Sequence, residues 1–215
     1  MNRPESPFQT PGQRREERAA KRQAVLRAAV QMFNERGFHA TSLEDVAASL
    51  GITKPTIYHY LGNKEQVLLE CVTIGLEQLL EAAEIARREE GTGKDRLCSF
   101  LRRYAEINMD DFGRCVIRTG EETLSENGRK QFRGLKRKID TALRELIDEA
   151  IADGTISTSD PKLLAFTLAG ALNWPARWHE PGGARPASEI AEGMVDILAA
   201  GFAPRQAITP SIRRH

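Results

Sequence analysis

Apolar residues recur along this chain at steps of three and four and nowhere sustain the strict alternation that marks a strand. From about Arg14, Val25, Ala29 and Phe33, with Leu26 and Val30 beside them, form one stripe, and Gly37 ends it. Ser42 can then cap a helix, with Asp45 three residues on. Leu43, Val46, Ala47 and Leu50 follow at helical spacing, a two-turn helix with one buried face, and Gly51 closes it where a left-handed residue is needed. Thr53 is placed to cap a third short helix, Lys54 to about Tyr60, its hydroxyl accepting from exposed backbone N–H groups. Pro55 is tolerated because a first turn has no internal N–H bond to lose. Asn63 caps a fourth, longer helix reaching about Glu90, where Gly91-Thr92-Gly93 breaks the pattern. Further helices are expected over 95–109, 112–124, 127–152, 161–180 and 186–202. The pattern predicts an all-α protein of about nine helices.

Length and composition refine this picture. A chain of 215 residues can bury a sizeable core in one large domain or two modest ones. Pro4, Pro7, Pro11 and Gly12 among polar residues predict a mobile arm over 1–13. A three-helix unit is expected over 14–62, a larger helical bundle over 63–203 and a flexible tail over 204–215. No apolar run approaches the roughly 20 residues needed to span a bilayer. The start of the chain lacks the apolar core of a secretory signal, so a cytoplasmic location is expected.

Cys71, Cys98 and Cys115 are odd in number and widely spaced, each in an apolar or amphipathic stretch, which predicts free, mostly buried thiols. His39, His59, His179 and His215 are equally scattered, so spacing supports neither a zinc site nor a Ser/His/Asp arrangement. No catalytic residues, metal or cofactor are expected. The formal net charge of +1 conceals an asymmetry, because residues 1–64 carry ten Lys/Arg against six Asp/Glu. Arg3, Arg14, Arg15, Arg18, Lys21, Arg22 and Arg27 concentrate that charge at the start, a footprint for an anionic partner that a solvated tail would share.

Two short helices separated by Gly51-Ile52, the second one capped, have the form of a helix-turn-helix. The run Thr41-Ser42-Leu43-Glu44-Asp45-Val46-Ala47, continued by Gly51 to Glu65, closely resembles the TetR family of bacterial regulators. That resemblance implies double-stranded operator DNA as partner, the third helix entering the major groove. It assigns DNA contact to Thr41, Thr53, Lys54, Thr56, Tyr58, His59 and Lys64. Hydroxyls, a lysine and helix-start N–H groups are ordinary phosphate donors, so most of these position the protein. Base readout falls to Lys54, Pro55, Thr56 and His59.

Past residue 70 the resemblance weakens. It implies a homodimer and a domain that binds a small-molecule effector. The stretch from Leu163 to Leu172 is apolar nearly all round and must be covered on more than one side. With the stripe of Ile190, Met194, Ile197 and Leu198 it predicts a four-helix dimer bundle. The segment around Asn173-Trp174 and Arg177-Trp178 is similar to one in a subgroup several of whose members answer to acyl-CoA thioesters. Candidate ligand residues are Phe100, Tyr104, Phe112, Arg133, Phe166, Trp174, Arg177 and Trp178, although core packing explains the aromatics as well. Arg129, Lys130, Arg133, Lys136, Arg137 and Lys138 form either a solvated face or the mouth of an anion site. Release of a repressor by an acyl-CoA-type or other small hydrophobic effector is the expected function. An efflux-type repressor with a drug-like ligand and an activating or ligand-independent regulator are the alternatives.

Overall fold

The computed structural model describes residues 11–201. Among them are ten α-helices, one single turn of 3-10 helix and no strand. The helices are α1 (Pro11–Arg36), α2 (Leu43–Ser49), α3 (Lys54–Leu61), α4 (Lys64–Arg87), α5 (Gly93–Met109), α6 (Asp111–Arg118), α7 (Glu126–Ala152), α8 (Pro161–Asn173), α9 (Pro175–Trp178) and α10 (Ala187–Gly201). Nine of them have seven residues or more, and α9 is a single turn. Residues 1–10 of the expected arm, Arg3 included, and the tail over 204–215 lie outside the described residues. Residues 11–13 belong to α1 rather than to an arm.

Two expected helices are broken in two. The one over 112–124 ends at Arg118, and a 3-10 turn, Glu121–Thr123, leads into α7. The one over 161–180 stops at Asn173 because Pro175, which has no N–H, interrupts the hydrogen-bond ladder and starts α9. Capping sets the other boundaries. Asn63 and Gln66 exchange side-chain and backbone hydrogen bonds at 2.9 Å to start α4. Thr92 and Asp95 do the same for α5, two residues earlier than periodicity suggests.

Helix α4 is the spine. It touches α5, α6 and α7 along its length and meets α1 and α3 at its start. Gly75 lets α4 and α6 close up, since a Cβ there would lie 2.7 Å from the Phe112 carbonyl and 2.8 Å from the Val116 side chain. Phe100, Phe132, Leu146 and Leu168 are fully buried between these helices. Each contributes roughly 1.5–3 kcal/mol on burial. Cys71, Cys98 and Cys115 are free and buried, and burial pushes the Cys115 thiol up to about 11.

Candidate DNA-reading surface and effector cleft

The candidate reading surface is built from local rules. Ser42 starts α2 through a capping box in which its hydroxyl accepts from Asp45 N at 3.0 Å and Asp45 accepts in return from Ser42 N. Leu43, Val46 and Ala47 are buried, and Ile57 and Leu61 of α3 pack with them in the core. Leu50, expected on the same face, is 36% exposed because α2 ends at Ser49 and the chain has already turned away. Gly51, at φ +63°, makes that turn, and Ile52 N donates to the Ala47 carbonyl at 3.0 Å. Thr53 occupies the cap position of α3, but its hydroxyl pairs with the Thr56 hydroxyl at 2.8 Å instead of capping a backbone N–H.

With Ile57 and Leu61 facing inward, Thr53, Lys54, Pro55, Tyr58 and His59 are left exposed on the outer side of α3, and Thr56 is half-buried. Lys54 is ion-paired with Glu44 of α2, which ties α2 to α3 and partly offsets its charge, and it sits 5.7 Å from the Tyr58 ring centre. Lys64 is folded back onto the α1–α2 turn, 4.3 Å above the Phe38 ring, and donates to the His39 carbonyl at 3.4 Å. Burial lowers its pKa.

Thr41 differs from the expectation. It is 1% exposed, and its hydroxyl faces the Gly37 carbonyl at 2.9 Å and the Met32 carbonyl at 3.2 Å. In this conformation it braces the end of α1 and offers no donor to DNA. Within the basic stretch of α1, Arg22 is also an internal strut, bonded to the Glu70 carboxylate and to the Tyr60 carbonyl.

The eight candidate ligand residues are not gathered at one place. Phe100 and Tyr104 pack edge-on in the core at 5.7 Å. The Tyr104 hydroxyl and Asn108 Nδ2 both donate to Asn173 Oδ1 at 2.9 Å. Phe112 is buried at the α4–α6 approach. Arg133 lies on the outer face of α7, bonded to Glu121 at 2.6 Å, and the basic run from Arg129 to Lys138 lies along that same helix. Phe166 and Trp174 are exposed on or beside α8. Only Arg177 and Trp178 share a cleft, of about 1050 Å³, lying between α1, the α5–α6 corner and α9.

Two further residues of that cleft carry its polar chemistry. Arg114, 7% exposed, donates through Nη2 to the carbonyls of Met109 at 2.9 Å and His179 at 3.1 Å. Burial and the Arg114 charge both hold the His179 pKa down. Arg118 donates to the carbonyls of Asn34 at 2.7 Å, Ala176 at 3.1 Å and Arg177 at 3.4 Å. The only sequence signal for either was a pair of arginines four residues apart in a short apolar helix. Glu35, Glu106, Asp110, Asp111 and Glu180 also line the cleft, so it is mixed in charge, with carboxylates outnumbering arginines.

Among the described residues no cluster of His, Cys, Asp or Glu could hold a metal, and no helix is long and apolar enough to cross a membrane. Residues 25–71 match the family model "Bacterial regulatory proteins, tetR family". Residues 90–202 match the model "Tetracyclin repressor-like, C-terminal domain". The repressor KstR2 of Mycolicibacterium smegmatis is 25% identical over 87% of this chain and 93% of its own length. The TetR-family regulator PfmR of Thermus thermophilus superimposes with a TM-score of 0.75 at 29% identity, covering 82% of this chain and 97% of PfmR. AibR, solved with isovaleryl coenzyme A and operator DNA, superimposes with a TM-score of 0.70 at 27% identity, covering 82% of this chain and 97% of AibR. With its helix-turn-helix and its helical second half each matched in this way, the chain belongs to the TetR family of DNA-binding transcriptional regulators, and is not an enzyme.

Proposed function

We propose that this protein is a homodimeric repressor that leaves a palindromic operator when an acyl-CoA-type effector binds the second domain. The observation that carries DNA binding is the outer face of α3, where Lys54, Pro55, Tyr58 and His59 stand exposed above a core-packed Ile57 and Leu61. Thr53, Thr56 and Lys64 border that face. We divide the chain at residues 62 and 63, with 14–62 as the reading unit and 63–203 as the effector and dimerisation unit.

The dimer reading rests on an unpartnered apolar face. Leu163, Phe166, Trp174, Trp178 and Ile197 of α8 to α10 and their junction are all exposed, with Ile197 at 76%. Two copies joined through α8 and α10 form a four-helix bundle that hides this face. The recognition helices of such a dimer read half-sites about one helical turn apart, ~34–36 Å. In this reading the protein acts in the cytoplasm, where a bacterial operator is found.

The effector reading rests on the cleft beside Arg177, between α1, the α5–α6 corner and α9. The Arg177 guanidinium, exposed beside the cleft, suits phosphate oxygens, while Arg114 and Arg118 are bonded to backbone carbonyls and form its wall. A relative 27% identical was solved with isovaleryl coenzyme A and operator DNA. A ligand wedged there favours the arrangement that DNA does not.

The test is to select duplexes from a random library with the purified protein and then to titrate the recovered operator with and without acyl-CoA thioesters, free coenzyme A serving as control. Recovery of a palindrome and at least about tenfold weaker binding with a thioester are expected. Recovery of no sequence above non-specific binding would overturn the regulator reading. A palindrome unaffected by every thioester would overturn the effector class alone.

A further inference from the structure

The contact between the reading unit and the rest of the protein runs through α6 as well as α4. Gln31 Nε2 of α1 donates to Asp111 Oδ2 at 3.0 Å, and Asn34 Nδ2 donates to the Asp111 carbonyl at 2.9 Å. Both bonds stop at the first residue of α6. Arg118, at the other end of α6, goes further. Its Nη1 takes the Asn34 carbonyl, two residues before α1 ends, while Nε and Nη2 take the carbonyls of Ala176 and Arg177 in α9. Among the described hydrogen bonds and ion pairs Arg118 has only these carbonyl partners and no carboxylate.

A planar fork with five donors can hold three acceptors on two helices at once, whereas a lysine ammonium on a flexible stem cannot keep all three in that arrangement. One turn earlier Arg114 grips the His179 carbonyl, so α6 holds α9 and its C-cap at more than one point. Helix α9 follows Trp174 and ends at Trp178, 62% and 47% exposed, on the face we assign to the partner subunit. At the other end of the link, the last turn of α1 is braced by Thr41, which leads directly into α2.

We propose that Arg118 is a positioning residue that couples α9 to the reading unit, so that the state of α9 and operator occupancy report on each other. A displacement of α9 pulls on the carbonyl of Asn34 and reorients α2 and α3. By linkage, operator binding must then be felt at α9 with the same coupling. This inference rests on the DNA-binding reading above and is independent of the effector's identity.

The chain's two tryptophans precede and end α9, so at a protein concentration where sedimentation shows a single oligomeric state intrinsic tryptophan emission reports on that element. The experiment titrates full-length protein with the selected operator duplex, following DNA binding by polarisation of a labelled duplex and α9 by tryptophan emission. Wild type and Gln31→Leu, which removes only the Gln31–Asp111 bond and leaves that of Asn34, should both change emission in step with binding. Arg118→Ala and Arg118→Lys should bind operator about 2- to 30-fold more weakly, yet show little or no emission change at saturation. Circular dichroism confirms that each variant is folded, and Arg118→Lys, which keeps the charge, carries the test if Arg118→Ala is not. An emission change in the Arg118 variants equal to that of wild type would overturn the proposal, as would no change in wild type. Loss of the response in Gln31→Leu as well would overturn it in favour of the α1–α6 contact as a whole. Failure of wild type to bind any operator would overturn the regulator reading and this coupling with it.

Discussion

Replacing Thr41 by Val removes one hydroxyl from a side chain that is 1% exposed and changes its shape very little. In the native protein that hydroxyl faces the Gly37 carbonyl at 2.9 Å and the Met32 carbonyl at 3.2 Å. Valine leaves a buried acceptor without its donor, which costs ~1–3 kcal/mol. For a chain of this size each kcal/mol lowers Tm by about 2–4 °C, so Tm should fall by about 2–12 °C. A domain stabilised by ~5–15 kcal/mol remains almost wholly folded at room temperature after such a loss. Operator affinity and its salt dependence should therefore stay near wild type. Thermal unfolding at fixed protein concentration and polarisation of a labelled operator give the two readings. Thr41→Ser, which keeps the hydroxyl, should recover much of the stability. Unchanged Tm combined with weaker operator binding and a shallower salt slope would refute the argument and return Thr41 to the phosphate contacts.

Four shorter tests address other parts of the molecule. Lys54→Gln should flatten the log–log salt dependence of operator binding by about 0.9 per protomer, read by polarisation across a salt series, and an unchanged slope would remove Lys54 from the phosphate set. Gly75→Ala should destabilise by ~1–3 kcal/mol in urea unfolding, because its Cβ meets the Phe112 carbonyl at 2.7 Å. No loss there would mean that the α4–α6 contact yields easily. Ile197→Glu, at a 76% exposed position of α10, should shift the protein from dimer to monomer in sedimentation velocity, and an intact dimer would place the interface elsewhere. The His179 pKa is held below 6.5 in the folded protein, so the unfolded chain takes up the proton first. Stability should hold above about pH 6.5 and fall as pH drops through that value; His179→Gln should flatten the fall, and equal curves would show that the imidazole is not involved.

The all-α class and the helix-turn-helix were legible because both are local. Ser42 with Asp45, Gly51 and Asn63 are start and stop signals whose hydrogen bonds reach three or four residues, so their meaning survives without a fold. The exposed set of α3 follows from the same reasoning, since burying Ile57 and Leu61 leaves Lys54, Tyr58 and His59 outward. Thr41 was misread because its partners, the Met32 and Gly37 carbonyls, belong to the end of the preceding helix, and residue type alone does not separate a donor for phosphate from a brace.

The second domain was less legible for the same reason at longer range. An aromatic such as Phe100 satisfies a ligand cavity and a packed core equally well in sequence, and only the crossing of α4, α5 and α7 decides that it is core. Arg133 and its basic neighbours required knowing which side of α7 faces outward. Arg114 and Arg118 carried no motif, because their acceptors are backbone carbonyls 58 to 84 residues away for Arg118 and up to 65 away for Arg114. Any residue type presents a carbonyl, so such a bond leaves no compositional trace. The sequence by itself therefore determined the all-α class, the helix-turn-helix and the caps at Ser42 and Asn63, where the governing forces act within one or two turns. The tertiary structure alone decided which polar side chains are struts and where a cleft forms, because those depend on how helices distant in the chain meet.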